Sequence, residues 1–537
     1  MDARPVAPAP PGKRPSWKLA PPHDAKTQAL VVTGFGSLPT GRALFLEFGW
    51  PKGAGSGAWM KALQAVAPVT DADDPEQQTA ALAFTWTGLK AMGLDKRALD
   101  SFSRPFREGM FQEDRLRRLG DRRSGKWLGT VIEGGPTWSA NTPPREEAEA
   151  AAWTETAAME SAPAGDEEVI TPVTVHALLL LYDPSEESAT ARCEAVEAAL
   201  APHKVRVVHR LPLLLDPDGM GISRDHYGFA DGLSQPSPYD EAALIGSDGK
   251  PVEKNPTNGV PLGEILIGHT NGHREKAPGP IVPDDPGGRP AAAGLAPHES
   301  AEGYFDLGHD GSYMVVRELK QDVAAFWRSM QANADRIRTR DPQHSGHVDT
   351  NWLAERVIGR ATDGHLLCPG GYLPPDAYGL PDNDYLFRER DPYGVGCPAG
   401  SHVRRANPRD ALAPSAAEAQ SLLDAANNHR ILRRGRKFGP KIADPYQDDG
   451  KDRGLLFVCL NTDIARQFEF VQQTWLLNSD FATLYEETDP LVGPAGRMTI
   501  REQPLRRIVE VETFVKMAGG DYFFLPSLPA LRYLAML

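Results

Sequence analysis

The longest unbroken apolar run in the chain is Ala-Leu-Leu-Leu-Leu-Tyr at residues 177–182. Six residues fall far short of the ~18 needed to cross a membrane as a helix. They suffice for a strand buried on both faces. Similar short runs recur: Ala29-Leu-Val-Val-Thr, closed by Gly34 and Gly36, then Val205-Arg-Val-Val-His-Arg-Leu, Tyr313-Met-Val-Val, Leu455-Leu-Phe-Val-Cys-Leu and Asp521-Tyr-Phe-Phe-Leu. Between them lie helical patterns: Trp59, Leu63 and Val66 at i, i+4, i+7; residues 191–200; residues 323–330; and Ile464, Phe468, Val471 and Trp475 along one face. Strand-then-helix order in both parts of the chain predicts an α/β or α+β protein with two similar halves.

Three stretches interrupt this order. Residues 1–27 are proline-rich, and seven prolines with no apolar core predict a disordered tail and no secretory leader. Residues 143–165, rich in Ala and Glu, read as a surface insertion. Residues 277–290 hold five prolines and read as a long irregular loop. The four cysteines, Cys193, Cys368, Cys397 and Cys459, form no Cys-x-x-Cys pair, which argues against a disulfide framework or a zinc ribbon and for a reducing, cytoplasmic setting. A net charge of −14 excludes the basic surface that nucleic acid or an anionic membrane demands.

Some motifs are false leads. Gly120-Asp-Arg-Arg-Ser-Gly-Lys126 lacks both a preceding strand and the Ser or Thr of a phosphate loop, because Trp127 follows the lysine. Cys397-Pro-Ala-Gly-Ser-His402 is not the Cys-x-x-Cys-His of covalent haem attachment. Three segments carry more chemistry: Gly228-Phe-Ala-Asp231-Gly232; Cys397 to His402 followed by Arg404, Arg405 and Arg409; and Arg430-Ile-Leu-Arg433-Arg-Gly-Arg-Lys-Phe-Gly439. Taken singly they read as a turn and two basic surface loops. An imidazole trailed by arginines also suits a metal-bearing, anionic ligand.

In this order, the segments resemble the dye-decolorising (DyP-type) haem peroxidases. The resemblance extends through Gln28-Ala-Leu-Val, Gly263-Glu-Ile-Leu-Ile-Gly268, residues 311–327, Glu355-Arg-Val-Ile-Gly-Arg360, Phe470-Val-Gln-Gln-Thr-Trp475 and Asp489-Pro-Leu-Val-Gly493, nearly the whole chain from residue 28. It implies an α+β fold of two ferredoxin-like halves, residues 28–225 and 226–537, with one haem b in the second. It implies His402 as the iron ligand and Asp489 as its carboxylate partner, with Glu469 as second choice. It implies Asp231 and Arg433 as the pair that cleaves hydrogen peroxide, and Leu455 and Phe457 as an apolar wall. Arg404, Arg405 and Arg409 are candidates for the haem propionates.

The partners implied are hydrogen peroxide and a bulky organic electron donor, and the oligomeric state stays open. With an ordinary Asp pKa of ~3.9, lowered further by a nearby arginine, activity toward dyes is expected to peak at acid pH. Two alternatives remain: a haem-handling protein of the same fold, and a non-catalytic acidic scaffold. An absorbance spectrum with and without peroxide separates all three.

Overall fold

The structure is a computed structural model of the 537-residue chain; it describes all residues except 1–16, 52, 74–77, 124–125, 133–134, 143–171, 220 and 247. The insertion expected at residues 143–165 lies outside the described residues.

The chain writes one pattern twice. In the first unit, β2 (Thr40–Phe48) leads into α1 (Trp59–Val66), followed by β3 (Thr79–Phe84), β4 (Ala177–Asp183), α2 (Glu186–Leu200) and β5 (Val205–Leu214). These strands pair antiparallel in the order β5-β2-β4-β3. β6 (Ser237–Gly246) lies between the units and pairs with β1 (Trp17–Leu19).

The second unit opens with β7 (Ser312–Gln321) and α3 (Val323–Arg340), and α4 (Thr350–Ile358) and α5 (His402–Ala406) follow. Next come the short β8 (Leu432–Arg433) and β9 (Arg436–Phe438), then β10 (Gly454–Asn461). A wide-wound helix α6, in two segments Ala465–Glu469 and Val471–Leu476, precedes β11 (Val515–Leu525). The order β9-β10-β7-β11 mirrors that of the first unit. The two sheets join edge to edge, at Lys437↔Leu214 and at Phe524↔Phe84, so the eight strands close into a ring.

Alternation along the strands sorts the core into two layers. Phe45, Leu178, Leu180, Met314, Val316, Leu456 and Val458 form the inner layer. Leu44, Leu46, Leu179, Leu181, Val315 and Cys459 face outward, where Trp59 and Leu63 of α1 and Val196 and Leu200 of α2 cover the first unit. The helix expected from Ile464, Phe468, Val471 and Trp475 forms and buries all four. Its winding is π-type, wider than the α period read from the sequence. No helix of the described residues is long and apolar enough to cross a membrane.

The sequence expectations fail in three places. Residues 17–27, inside the expected disordered tail, are ordered: β1 pairs with β6, and Thr27 is fully buried. The run Ala29–Val31 is a helical turn and not a strand. Propensity yields to context there: the preceding Gln28 docks on β3, donating from Nε2 to Leu82 O (2.9 Å) and Pro526 O (2.8 Å) and accepting from Leu82 N (3.0 Å). The 277–290 stretch is not wholly irregular. Ile281–Pro283 pairs with Tyr304–Asp306, and a helical turn, Arg289–Ala293, begins before its end.

Gln28 takes the place of a strand partner at the β3 edge. Gln28→Leu should therefore leave three buried main-chain groups unpaired, at about 1–3 kcal/mol each. Denaturant unfolding should show a loss of about 3 kcal/mol or more; a loss under 1 kcal/mol would mean that water replaces the amide.

Candidate active site

The site lies on the outer face of the second sheet. Directly opposed residues of paired strands share a face, and Arg433 of β8 pairs with Cys459 of β10. Arg433 is thus on the same face as Cys459, Phe457 and Leu455, the odd-numbered residues of β10. Leu455 and Phe457 are half-buried, while their even-numbered neighbours are buried in the inner layer.

The Asp231 segment approaches this face. Its two flanking glycines, Gly228 (φ 96°) and Gly232 (φ 77°), are in the left-handed region that side chains avoid. Their turn is pinned by Asp231 N to Ser223 O (2.9 Å) and Ala230 N to Thr362 O (3.0 Å). Asp231 Oδ1 accepts from Gly232 N at 2.6 Å and lies 3.5 Å from Arg433 Nη1. The Arg433 main chain is held by Gln235, whose amide accepts from Arg433 N and donates to Arg433 O.

His402 opens the short helix α5. Its Nδ1 is 3.0 Å from Oδ2 of the fully buried Asp489. Asp489 Oδ1 in turn accepts from Leu491 N and Val492 N, which fixes the carboxylate. Burial opposes a charged imidazole, but Asp489 outweighs it and His402 ends above its ordinary pKa. Burial likewise opposes the Asp489 carboxylate; His402 and the main-chain N–H groups outweigh it and hold Asp489 below the usual range. Asp231 and Arg433 act electrostatically on the same imidazole, so the two pairs belong to one site. Nδ1 is engaged and the side chain keeps 27% of its surface open, so Nε2 is free to ligate.

Glu469, the second choice beside His402, is committed elsewhere. It accepts from Arg115 Nη1 (2.5 Å) and Tyr522 Oη (2.7 Å) in a buried cluster. The three arginines considered for propionates also serve other ends. Arg404 donates to Asp391 O (2.9 Å) and Cys397 O (3.0 Å), clamping the loop that leads into His402. Arg405 donates to Trp475 O, Asn478 O and Glu487 O, clamping the loop that leads to Asp489. Arg409 donates to Tyr385 O and Asn383 Oδ1, both at 3.0 Å. Buried main-chain carbonyls need donors, and a guanidinium supplies several at once.

The same need explains the Arg430–Gly439 segment, which by sequence alone reads as a solvated basic turn. Arg434 donates to Leu30 O and Val31 O, and Arg436 to Gly34 O, Phe35 O and Leu38 O. Arg430, missed from sequence, is buried, and its donors go to Asn258 Oδ1 and Ser234 O. Burial, then Arg409 and Arg433, push its pKa down to about 9. No carboxylate pairs with Arg430 among the described residues. Only its place between the Asp231 and His402 segments in the fold marks it out.

No family model matches the chain. Among curated relatives it is 29% identical to the multifunctional dye peroxidase DyP2 of Amycolatopsis sp. over 391 residues, 67% of this chain and 71% of the relative. It is 24% identical to the dye-decolorizing peroxidase msp1 of Mycetinis scorodonius, over 84% of this chain and 75% of the relative. Among solved structures, the DyP-type peroxidase of Anabaena sp. shares the fold at a TM-score of 0.65 and 21% identity, over 96% of this chain and 95% of that one. The Amycolatopsis DyP2 structure follows at 0.63 and 23%, over 95% and 96%. Fold and relatives point to one class, the haem-dependent peroxidases: the chain is similar to the dye-decolorising peroxidases in sequence and in fold.

Asp225 sits in the Asp231 turn, accepting from Phe229 N at 2.8 Å. Burial, with the Asp231 charge adding to it, pushes its carboxyl up to about 7, although part of the residue still reaches solvent. A raised carboxyl holds its proton in the folded state where the unfolded chain releases it, so stability falls as pH rises from ~3.9 to about 7. Asp225→Asn should flatten the stability–pH curve across that window and stabilise the protein above it. Denaturation midpoints at pH 4 to 8 check this, and an unchanged slope would refute it.

Proposed function

We propose that the chain is a haem b peroxidase that uses hydrogen peroxide to oxidise bulky organic reductants such as dyes and phenolics. One observation carries the reading. The His402–Asp489 pair, with Nε2 free, shares a site with the Asp231–Arg433 pair beside an apolar strand face. We read the two four-stranded units, each ordered 4-1-3-2 with two helices, as ferredoxin-like halves at residues 28–225 and 226–537, with haem in the second.

The residues present fit that group. Asp489 on Nδ1 fixes the tautomer that leaves His402 Nε2 to bind iron and makes the ring more electron-donating. The buried cations Arg430 and Arg409, beside Arg433, suit the anionic propionate edge. Leu455 and Phe457 wall the side from which peroxide enters. Bound at His402, haem supplies the electrons that reduce peroxide.

The chain's own residues then move protons and charge. The Asp231 carboxylate takes the proton from the attacking peroxide oxygen and returns it to the departing one. Arg433, 3.5 Å from Asp231, offers a fixed positive charge to the oxygen that becomes negative as the O–O bond breaks. Bulky reductants are too large for this pocket and give up electrons at its edge or through surface aromatic residues. The free thiols, three of them buried, suit a cytoplasmic enzyme.

The purified protein should show a Soret band that shifts within seconds of adding peroxide; a colourless protein would end this reading. His402→Ala should lose that band. Asp231→Asn should keep it and slow peroxide turnover about 10²–10⁴-fold. Arg433→Leu should keep it and slow turnover about 10²–10³-fold. Full activity in Asp231→Asn would transfer the proton-moving role to another group.

A further inference from the structure

A second cluster of chemical groups lies at the other end of the second unit. Asp310 is 1% exposed and lies two residues before β7. Two histidines reach it from distant parts of the chain, and the third is its neighbour His309. His23 Nδ1 and His269 Nε2 are each 2.8 Å from Asp310 Oδ1, and His309 Nδ1 is 3.0 Å from Asp310 Oδ2. The four ligand atoms all lie within 4.8 Å of one another. The rings pack together, with centroids 4.8 Å apart for His23–His269, 5.4 Å for His269–His309 and 5.9 Å for His23–His309.

A plain hydrogen-bonded carboxylate leaves features of this arrangement unexplained. Two imidazoles crowd one oxygen of Asp310, while the other, Oδ2, faces only the His309 ring at 3.0 Å. Asp310 is in the left-handed region (φ 59°), a strained place for a side-chain-bearing residue. Gly268 (φ 91°) makes room for the third ring: a Cβ there would meet His309 Cδ2 at 2.6 Å.

We propose that His23, His269, His309 and Asp310 form a four-ligand site for a divalent transition metal, zinc above all. Three imidazoles and a carboxylate match the nitrogen and oxygen ligands zinc takes, and four protein ligands close a tetrahedron, the form of structural sites. Ligands ~2.0–2.1 Å from a tetrahedral metal stand roughly 3.4 Å apart. The His–Asp distances of 2.8–3.0 Å and the 4.8 Å limit bracket that value. Imidazole-rich donors disfavour calcium and magnesium. The half-exposed His23 and His309 rings give the ion a way in.

The metal fastens the N-terminal segment. His23 follows β1 and reaches a carboxylate 287 residues away, so the ion closes a very long loop. The site is separate from the peroxidase centre: it precedes β7, whereas Leu455 pairs with Leu319 near the far end of that strand.

The test uses the purified full chain, dialysed against a chelator, then titrated with Co²⁺ and with Zn²⁺. One Co²⁺ per chain should be retained through gel filtration with the intense visible bands of tetrahedral cobalt. Zn²⁺ should displace it and raise the thermal midpoint. His269→Ala and His309→Gln should each lose the cobalt bands and the midpoint shift, with the Soret band unchanged. His309→Gln alters the most exposed ring and so keeps the test alive if His269→Ala does not fold. No retained cobalt in the unaltered chain, octahedral cobalt only, or equal retention in a folded variant would each overturn the proposal.

Discussion

An unpaired strand edge exposes a row of main-chain donors and acceptors, and most of this architecture follows from dealing with that problem. Each four-stranded unit has two edges. Two slender junctions, Lys437↔Leu214 and Phe524↔Phe84, join one unit's edges to the other's. Where β3 finds little strand partner, the amide of Gln28 stands in. Where residues 30–38 run past the sheet without a ladder, Arg434 and Arg436 satisfy their carbonyls. The strand bearing Arg433 is therefore fixed by contacts that serve ring closure, and the position of its guanidinium depends on them.

The same economy appears around His402. Its ring is set by Asp489, and the loops carrying both residues are set by two buried arginines, Arg404 and Arg405, whose donors go to main-chain carbonyls. These are positioning residues. A cation next to His402 in sequence suggests contact with a bound anion; in space Arg404 and Arg405 organise the loops around the imidazole.

Legibility in the sequence tracked local apolar content. β4, β7 and β10 were readable because their runs are continuously apolar, and α1 because its stripe is periodic. Asp231, Arg433, His402 and Asp489 stand out in the sequence by resemblance alone, and their roles are those proposed above; the structure sets His402 beside Asp489 and Arg433 beside Asp231. The short strands β8 and β9 were not legible, since Arg433, Arg436 and Lys437 look solvated in a linear reading and are made strand residues only by distant carbonyls. The helical turn at Ala29–Val31 misled because its β-branched run packs against a neighbour that no local window contains. The histidine cluster escaped notice because its members are 41 and 287 residues from Asp310 apart from the adjacent His309.

The shared face of Arg433, Leu455, Phe457 and Cys459 rests on parity. A strand gives successive residues to opposite sides, so adding or removing one residue inside β10 would send Leu455 and Phe457 into the ring interior and bring Leu456 and Val458 out. The loop between Phe438 and Gly454 is under no such rule, because it leaves the sheet and returns to it. Length variation among descendants of this chain is thus channelled: loops can lengthen freely, while a strand a few residues away must keep its count.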